Sequence, residues 1–245
     1  MHVVAVVAAG GQGSRLGTSV PKQFLELAGR SLLERSVTAL LAASSVSEVV
    51  VALPAEYVSS PPSYLQRPRV RVVEGGPRRQ DSVASAAQAA AGADIVLVHD
   101  AARPFVDVAT IERVVRAAAE AGAAIAALPA RDTVKLADVT ETSWVGSEFG
   151  EPLPAVSRKP VPAVKRTLPR ETIYLAQTPQ AFRRDVWQRV LELGAQGAHG
   201  TDEAALAEQA GCTVLLVPGE PENIKITTAA DLAFARGLLR ERGEV

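Results

Sequence analysis

Short β-branched runs alternate with segments of helical period along most of the chain. Val3-Val4-Ala5-Val6-Val7-Ala8 reads as a buried parallel strand that stops at glycines. Ser31-Leu32-Leu33-Glu34 predicts a capping box opening a helix, with Leu33, Val37, Leu40 and Leu41 on one face. Glu48 to Leu53 and Arg69 to Val73 predict further strands, and alanine-rich Ser82 to Ala91 a helix. Ile95 to Val98 predicts another buried strand. Asp107 caps the following helix, whose apolar stripe is Ile111, Val114, Val115 and Ala118. Ala123 to Leu128 returns as a strand. Later come predicted helices at Ala181 to Leu193 and Thr201 to Ala210, a strand at Cys212 to Val217, and a last helix capped at Thr228-Ala229-Ala230-Asp231.

That alternation predicts an α/β protein: three layers, α/β/α, around a central mixed, mainly parallel sheet, with ligands gathered at the carboxyl ends of its strands. Two stretches break it. Pro54, Pro61, Pro62 and Pro68 punctuate a segment that reads as a short helix or only loop. From Lys135 to about Arg170 there are prolines and no helical period. A surface loop and an extended β-arm both fit, and we expect the β-arm on an otherwise single domain spanning 1–245.

Composition narrows the class. Hydrophobic residues make up 47% of 245 residues and charged residues 22%, which suits a chain with a substantial core. The net charge of −1 points away from general nucleic-acid binding, so any affinity for phosphate must come from a local cluster. Cys212, the one cysteine, leaves no intrachain disulfide or cysteine-based zinc site and is expected to be a buried strand residue. Val3 to Ala9 is too short to span a bilayer and lacks the basic flank of a secretory signal, so we expect no membrane association and a cytoplasmic location.

The candidate chemistry begins where the first strand ends, at Ala8-Ala9-Gly10-Gly11-Gln12-Gly13-Ser14-Arg15-Leu16-Gly17. Glycines after a strand let backbone N–H groups approach phosphate oxygens. Neither common phosphate fingerprint is met. No lysine follows as a P-loop requires, and the dinucleotide pattern starting Gly11-x-Gly13 meets Leu16 where its third glycine belongs. Instead the loop carries Arg15 and Lys22, with no acidic residue before Glu26. Those cations are either a local field matched to a triphosphate or solvated charges on a turn.

Ala8-Ala9-Gly10, Arg15-Leu16 and Pro21-Lys22-Gln23 resemble the signature loop of nucleotidyltransferases that activate sugar phosphates. The resemblance is closest to the 2-C-methyl-D-erythritol 4-phosphate cytidylyltransferase family. It continues through Gly75-Gly76, Arg79-x-Asp81-Ser82-Val83, Val98-His99-Asp100-Ala101-Ala102-Arg103-Pro104 and Asp132-Thr133-Val134-Lys135. It then runs through Gln177-Thr178-Pro179-Gln180, Thr201-Asp202-Glu203 and Asn223-Ile224-Lys225. Each block is weak alone; the ordered set is specific.

The resemblance implies a Rossmann-like nucleotidyltransferase fold and a reaction in which CTP meets a small sugar-alcohol phosphate and pyrophosphate leaves. Arg15, Lys22 and Lys225 would hold the triphosphate and offset charge at the α-phosphorus. Ala8, Ala9, Gly10, Gly11, Gly13, Gly76, Arg79, Asp81, Ser82, Asp100 and Ala101 would form the CTP site. Asp100, Arg103, Thr133 and Arg170 would meet the acceptor, with Arg170 reaching across a homodimer through the arm. Mg²⁺ is the implied cofactor, with Asp100 its candidate protein ligand. Read from the residues alone, Ser82 also fits a helix cap, Asp100 a paired aspartate, Lys225 a surface lysine at a strand end, and Arg170 a solvent-facing arginine. His99 is expected to be structural, since no second ligand-spaced histidine accompanies it. Ribitol phosphate as acceptor, or a nucleotide-binding regulatory module without turnover, are the competing readings. An NAD-linked oxidoreductase ranks behind them because Leu16 breaks the fingerprint.

Overall fold

The computed structural model describes residues 1–10, 20–143 and 161–244. They form two compact units, one of Met1–Leu128 with Ala176–Val245 and one of Pro129–Leu175. The chain runs through β1 (Val3–Ala8), β2 (Glu26–Leu27), β3 (Arg30–Ser31), α1 (Leu32–Ala42), β4 (Glu48–Leu53), β5 (Val70–Glu74) and α2 (Arg79–Ala89). Next come β6 (Ile95–Asp100), α3 (Val108–Ala121), β7 (Ala123–Pro129), β8 (Val134–Ser143), β9 (Val161–Leu168) and β10 (Tyr174–Arg183). The chain ends with α4 (Arg184–Ala195), α5 (Glu203–Gln209), β11 (Leu215–Pro218) and α6 (Ala229–Glu241).

Among the described residues, seven strands make the main sheet in the order β11-β7-β10-β6-β1-β4-β5. β1 pairs in parallel with β4 on one side and β6 on the other, whereas β10 runs antiparallel to β6. The chain winds outward from β1 through β4 to β5, then returns to lay β6 on the opposite side of β1. That reversal is the topological switch point at which open α/β sheets place their ligand crevice. The register pairs Ala8 with Asp100, so the end of β1 and the end of β6 open side by side.

Alternation along β1 builds the layers. Val3, Ala5 and Val7 pack with Leu33, Val37 and Leu40 of α1 and Ile111 and Val114 of α3. Val4 and Val6 point to the opposite face, against Val83 and Ala86 of α2, Trp187 and Val190 of α4 and Leu206 of α5. A smaller cluster joins Leu27, Leu32, Phe105, Ile226, Ala235, Leu238 and Leu239. It ties the β2–β3 hairpin to α6 and to the segments that follow Arg103 and Lys225.

The expected elements are found with adjusted limits. Ser31 caps α1 by accepting from the Glu34 N–H at 3.0 Å. The segment around Pro54 to Pro68 holds two short 3₁₀ turns, Ala55–Tyr57 and Ser63–Leu65. Two expectations are corrected. Ala181, Phe182 and Arg183 belong to β10, not to the following helix, because they pair with Leu97, Val96 and Ile95 of β6. Cys212 is half-buried in the irregular segment between α5 and β11, which starts only at Leu215. No helix among the described residues is long and apolar enough to cross a membrane.

In the second unit β8 and β9 form an antiparallel ribbon, with Val134 opposite Leu168 and Lys135 opposite Thr167. Lys135 Nζ donates to Thr167 Oγ1 at 2.7 Å across that pairing. The prolines at 152, 154 and 160 lie outside the described residues.

Candidate active site

A cavity of about 120 Å³ opens where β1 and β6 end. It is lined by Ala8 at the end of β1 with Ala9 and Gly10 just beyond it, and by Asp100 at the end of β6 with Ala101 and Ala102 just beyond it. Lys22, Gln23, Arg79, Ser82 and Lys225 complete the wall. Most residues expected at a nucleotide site therefore meet in one crevice. Arg15, Gly11 and Gly13 lie outside the described residues.

Lys22 opens the 3₁₀ turn Lys22–Phe24. Gln23 beside it is only 2% exposed and donates from Nε2 to the Ala9 carbonyl at 2.7 Å, which pins the turn to the end of β1. Gly10 approaches closely enough that a Cβ there would stand 2.6 Å from Ser82 Oγ. Ser82 in turn accepts from the Gly76 N–H at 3.2 Å and lies in the first turn of α2. A Cβ at Gly76 would collide with Asp81. These contacts bring two glycine segments and the start of α2 together.

Charge is concentrated on Asp100. Arg79 Nε donates to its Oδ1 at 2.9 Å and Lys225 Nζ to its Oδ2 at 2.8 Å. Arg79 Nη1 also donates to Glu203 Oε1 at 2.8 Å. Burial pushes the Asp100 carboxyl up, but Arg79 and Lys225 outweigh it and hold the group well below the usual carboxylate range. Burial opposes the Arg79 charge as well, and Asp100 with Glu203 overcome that and raise it. Burial raises the Glu203 carboxyl. The result is a row of alternating charges, Glu203–Arg79–Asp100–Lys225, ending with an ammonium in the crevice.

Other expected site residues go elsewhere. Asp81 pairs with Arg78, Oδ1 lying 2.6 Å from Nη2, and does not line the crevice. Its position in the first turn explains this: its Oδ2 accepts from the Arg78 N–H at 3.1 Å and caps the helix. Arg103 does not line the crevice either. Its Nη1 donates to the Asn223 carbonyl at 2.7 Å, and its Nε stands 4.0 Å from Asp100 Oδ2. Burial lowers its guanidinium from the ordinary value, opposed by Asp100. Thr133 and Arg170 belong to the second unit. There Arg170 is exposed, lies in the short turn Arg170–Thr172, and donates from Nη1 to the Arg131 carbonyl at 3.0 Å. His99 is fully buried and held low, to about 4, mainly by that burial, in keeping with a structural role.

Two contributors carry no assigned role in the sequence. Gln23 is visible there only as part of Pro21-Lys22-Gln23. Glu203 is visible only as part of Thr201-Asp202-Glu203, because its partner Arg79 lies on a distant helix. Among the described residues no group of three His, Cys, Asp or Glu side chains forms a metal cage. Asp100 is the crevice carboxylate, so Mg²⁺ there would take most of its oxygens from phosphate, which is its usual habit in nucleotide sites.

The likeness to characterised proteins covers nearly the whole chain. The profile of the family described as IspD: 2-C-methyl-D-erythritol 4-phosphate cytidylyltransferase matches residues 3–146 and 155–241. The protein of that name from Acidobacterium capsulatum is 38% identical over 254 residues, covering 99% of both chains. The bifunctional enzyme IspD/IspF of Anaeromyxobacter dehalogenans is 47% identical over 97% of this chain, which spans 57% of that longer protein. The crystal structure of the cytidylyltransferase from Thermus thermophilus superposes with a TM-score of 0.75 at 35% identity, over 98% of this chain and 100% of that one. The chain belongs to the 2-C-methyl-D-erythritol 4-phosphate cytidylyltransferase family.

Proposed function

We propose that this chain transfers the cytidylyl group of CTP to 2-C-methyl-D-erythritol 4-phosphate, giving the cytidine diphosphate derivative and pyrophosphate in isoprenoid precursor synthesis. The observation that carries the reading is the convergence of Lys22, Arg79, Asp100 and Lys225 on one crevice at the switch point of the sheet. An oxygen of the acceptor phosphate attacks the α-phosphorus of CTP. The bond from that phosphorus to the bridging oxygen breaks, and pyrophosphate leaves with the electron pair. No side-chain nucleophile is required, because the acceptor supplies one.

The protein's task is then electrostatic, holding two anions together as charge builds at the α-phosphorus. Lys22 and Lys225, with Arg15, supply the positive field. Gly10 and the Gly75-Gly76 segment give backbone access to the nucleotide, and Ser82 holds those segments in place. Asp100 keeps Lys225 in the crevice and is the residue that would hold Mg²⁺, which when bound would draw charge from the leaving pyrophosphate. The same reading assigns Arg103, Thr133 and Arg170 to the acceptor, Arg170 from the neighbouring subunit of a homodimer, in a cytoplasmic enzyme.

The test is pyrophosphate release by purified protein with CTP, Mg²⁺ and either methylerythritol phosphate or ribitol phosphate. Release with methylerythritol phosphate supports the reading. Release with ribitol phosphate alone overturns the acceptor, and CTP binding without release with either overturns the transferase.

A further inference from the structure

Lys225 stands on a stretch of chain that is neither helix nor strand: residues 219–228 link β11 to α6 without regular structure. Fixing one residue of such a segment costs about 1–2 kcal/mol of backbone entropy, so a lysine on it reaches one point reproducibly only if the chain beneath is tied down. Ties are found on either side of Lys225. Before it, Gln177 Nε2 donates to the Glu220 carbonyl at 3.0 Å. After it, the Ile226 N–H donates to the Ala102 carbonyl at 2.9 Å, and the Ile226 side chain is buried against Leu27, Phe105 and Leu239.

Between those ties lies Asn223, only 1% exposed and two residues before Lys225. Its N–H donates to the Glu220 carbonyl at 3.0 Å, and its own carbonyl accepts from Arg103 Nη1 at 2.7 Å. Its side chain reaches the other way, to β10. Nδ2 donates to the Thr178 carbonyl at 2.8 Å and to Gln177 Oε1 at 3.3 Å. Chemistry fixes the orientation of both amides. A backbone carbonyl only accepts, so the Asn223 nitrogen must face Thr178 and the Gln177 nitrogen must face Glu220, which turns Gln177 Oε1 toward Asn223. The segment is thereby fastened to β10, which lies beside β6 in the sheet, and β6 ends in Asp100. Lys225 and the carboxylate it meets are held to the same two adjacent strands.

We propose that Asn223 is a positioning residue whose side-chain amide, by fastening the 219–228 segment to β10, holds the Lys225 ammonium at Asp100 for the transfer step. The assignment rests on the proposed cytidylyl transfer. Gln177 fastens the same segment two residues from its start, but through one backbone carbonyl and farther from the lysine.

Asn223→Leu keeps nearly the same volume and deletes the donor. Asn223→Ser is too short to span to the Thr178 carbonyl and takes its place if the leucine variant does not fold, as judged by a urea titration. Turnover of CTP with methylerythritol phosphate and Mg²⁺ is measured for the parent, the Asn223 variant, Lys225→Ala and the double variant. The Asn223 variant is expected to lower kcat about 10- to 100-fold in the parent background through misplacement of the ammonium. In the Lys225→Ala background it should lower kcat by no more than roughly 2-fold, since the group it positions is already gone. Proton–nitrogen spectra of ¹⁵N-lysine protein supply a readout independent of turnover: the Lys225 ammonium signal, assigned by its absence from Lys225→Ala, should move in the Asn223 variant. An unchanged kcat, an equal loss in both backgrounds, or a Lys225 signal that stays in place would each overturn the assignment. A parent protein that does not turn over CTP defeats the functional reading instead, and the lysine spectra still decide whether Asn223 holds the ammonium in place.

Discussion

Lys225 Nζ lies 2.8 Å from Asp100 Oδ2, although one residue follows β11 and the other ends β6. Asp100 is also held by Arg79, so losing Lys225 does not leave the carboxylate without a partner. Lys225 thereby bears on activity more than on folding. Lys225→Ala should lower kcat by roughly 10²–10³ while leaving the denaturation midpoint close to that of the parent, as for removal of other groups that stabilise transition-state charge. Steady-state kinetics and a urea titration of the same preparation check both halves.

Arg79 carries the opposite expectation. It contacts both Asp100 and Glu203, whose side chains are 9% and 3% exposed. Arg79→Ala leaves two buried carboxylates short of a partner and should destabilise the fold by about 3–5 kcal/mol. Glu203→Gln should cost less, because Asp100 still neutralises the guanidinium. Arg79→Lys should not restore the parent, since a single ammonium cannot reproduce two divergent hydrogen bonds. Equilibrium denaturation of the three variants ranks them.

His99 predicts a pH dependence of stability. Its folded value of about 4 lies below the ordinary 6.5, so folding favours the neutral ring. The stability it contributes is fully present above about pH 6.5, falls as pH drops towards 4, and falls no further below that. The slope inside the window approaches about 1.4 kcal/mol per pH unit. Asp100, held low, acts in a separate window beneath its ordinary 3.8. Glu203, raised by burial, has the opposite sign, since its contribution is lost as pH rises through its raised value. Subtracting the His99→Gln profile from that of the parent isolates the histidine.

Gly10 and Ser82 should couple. Gly10→Ala places a methyl group 2.6 Å from Ser82 Oγ, so either the loop or α2 must shift. CTP affinity should fall in Gly10→Ala and recover in part when Ser82→Ala is added. Gly76→Ala should resist such rescue because its neighbours include the Asp81 backbone. Calorimetric titration with CTP checks the pattern.

Much of this is legible in the chain. The apolar runs of β1 and β6 are buried on both faces, so hydrophobicity alone marks them, and their carboxyl ends hold the crevice as expected of a parallel sheet. Ala181 to Arg183 reads as helix because three residues of a strand flow directly into α4 without a breaking residue. Arg103 shows a harder limit. Its assignment to the acceptor comes from the resemblance alone, and nothing in its spacing tells that its Nη1 donates to the Asn223 carbonyl, a partner set only by the folded path of the chain. Glu203 stays hidden for the same reason. Its importance lies in the Arg79 guanidinium that it holds, and sequence spacing does not record that.

The most direct test of the cytidylyltransferase reading is pyrophosphate release from CTP and methylerythritol phosphate in the presence of Mg²⁺, comparing the parent protein with Lys22→Ala. The expected result is sustained release by the parent and a loss of roughly 10²–10³ in Lys22→Ala without unfolding. Equal release by the two proteins, or none from a parent that binds CTP, would contradict it.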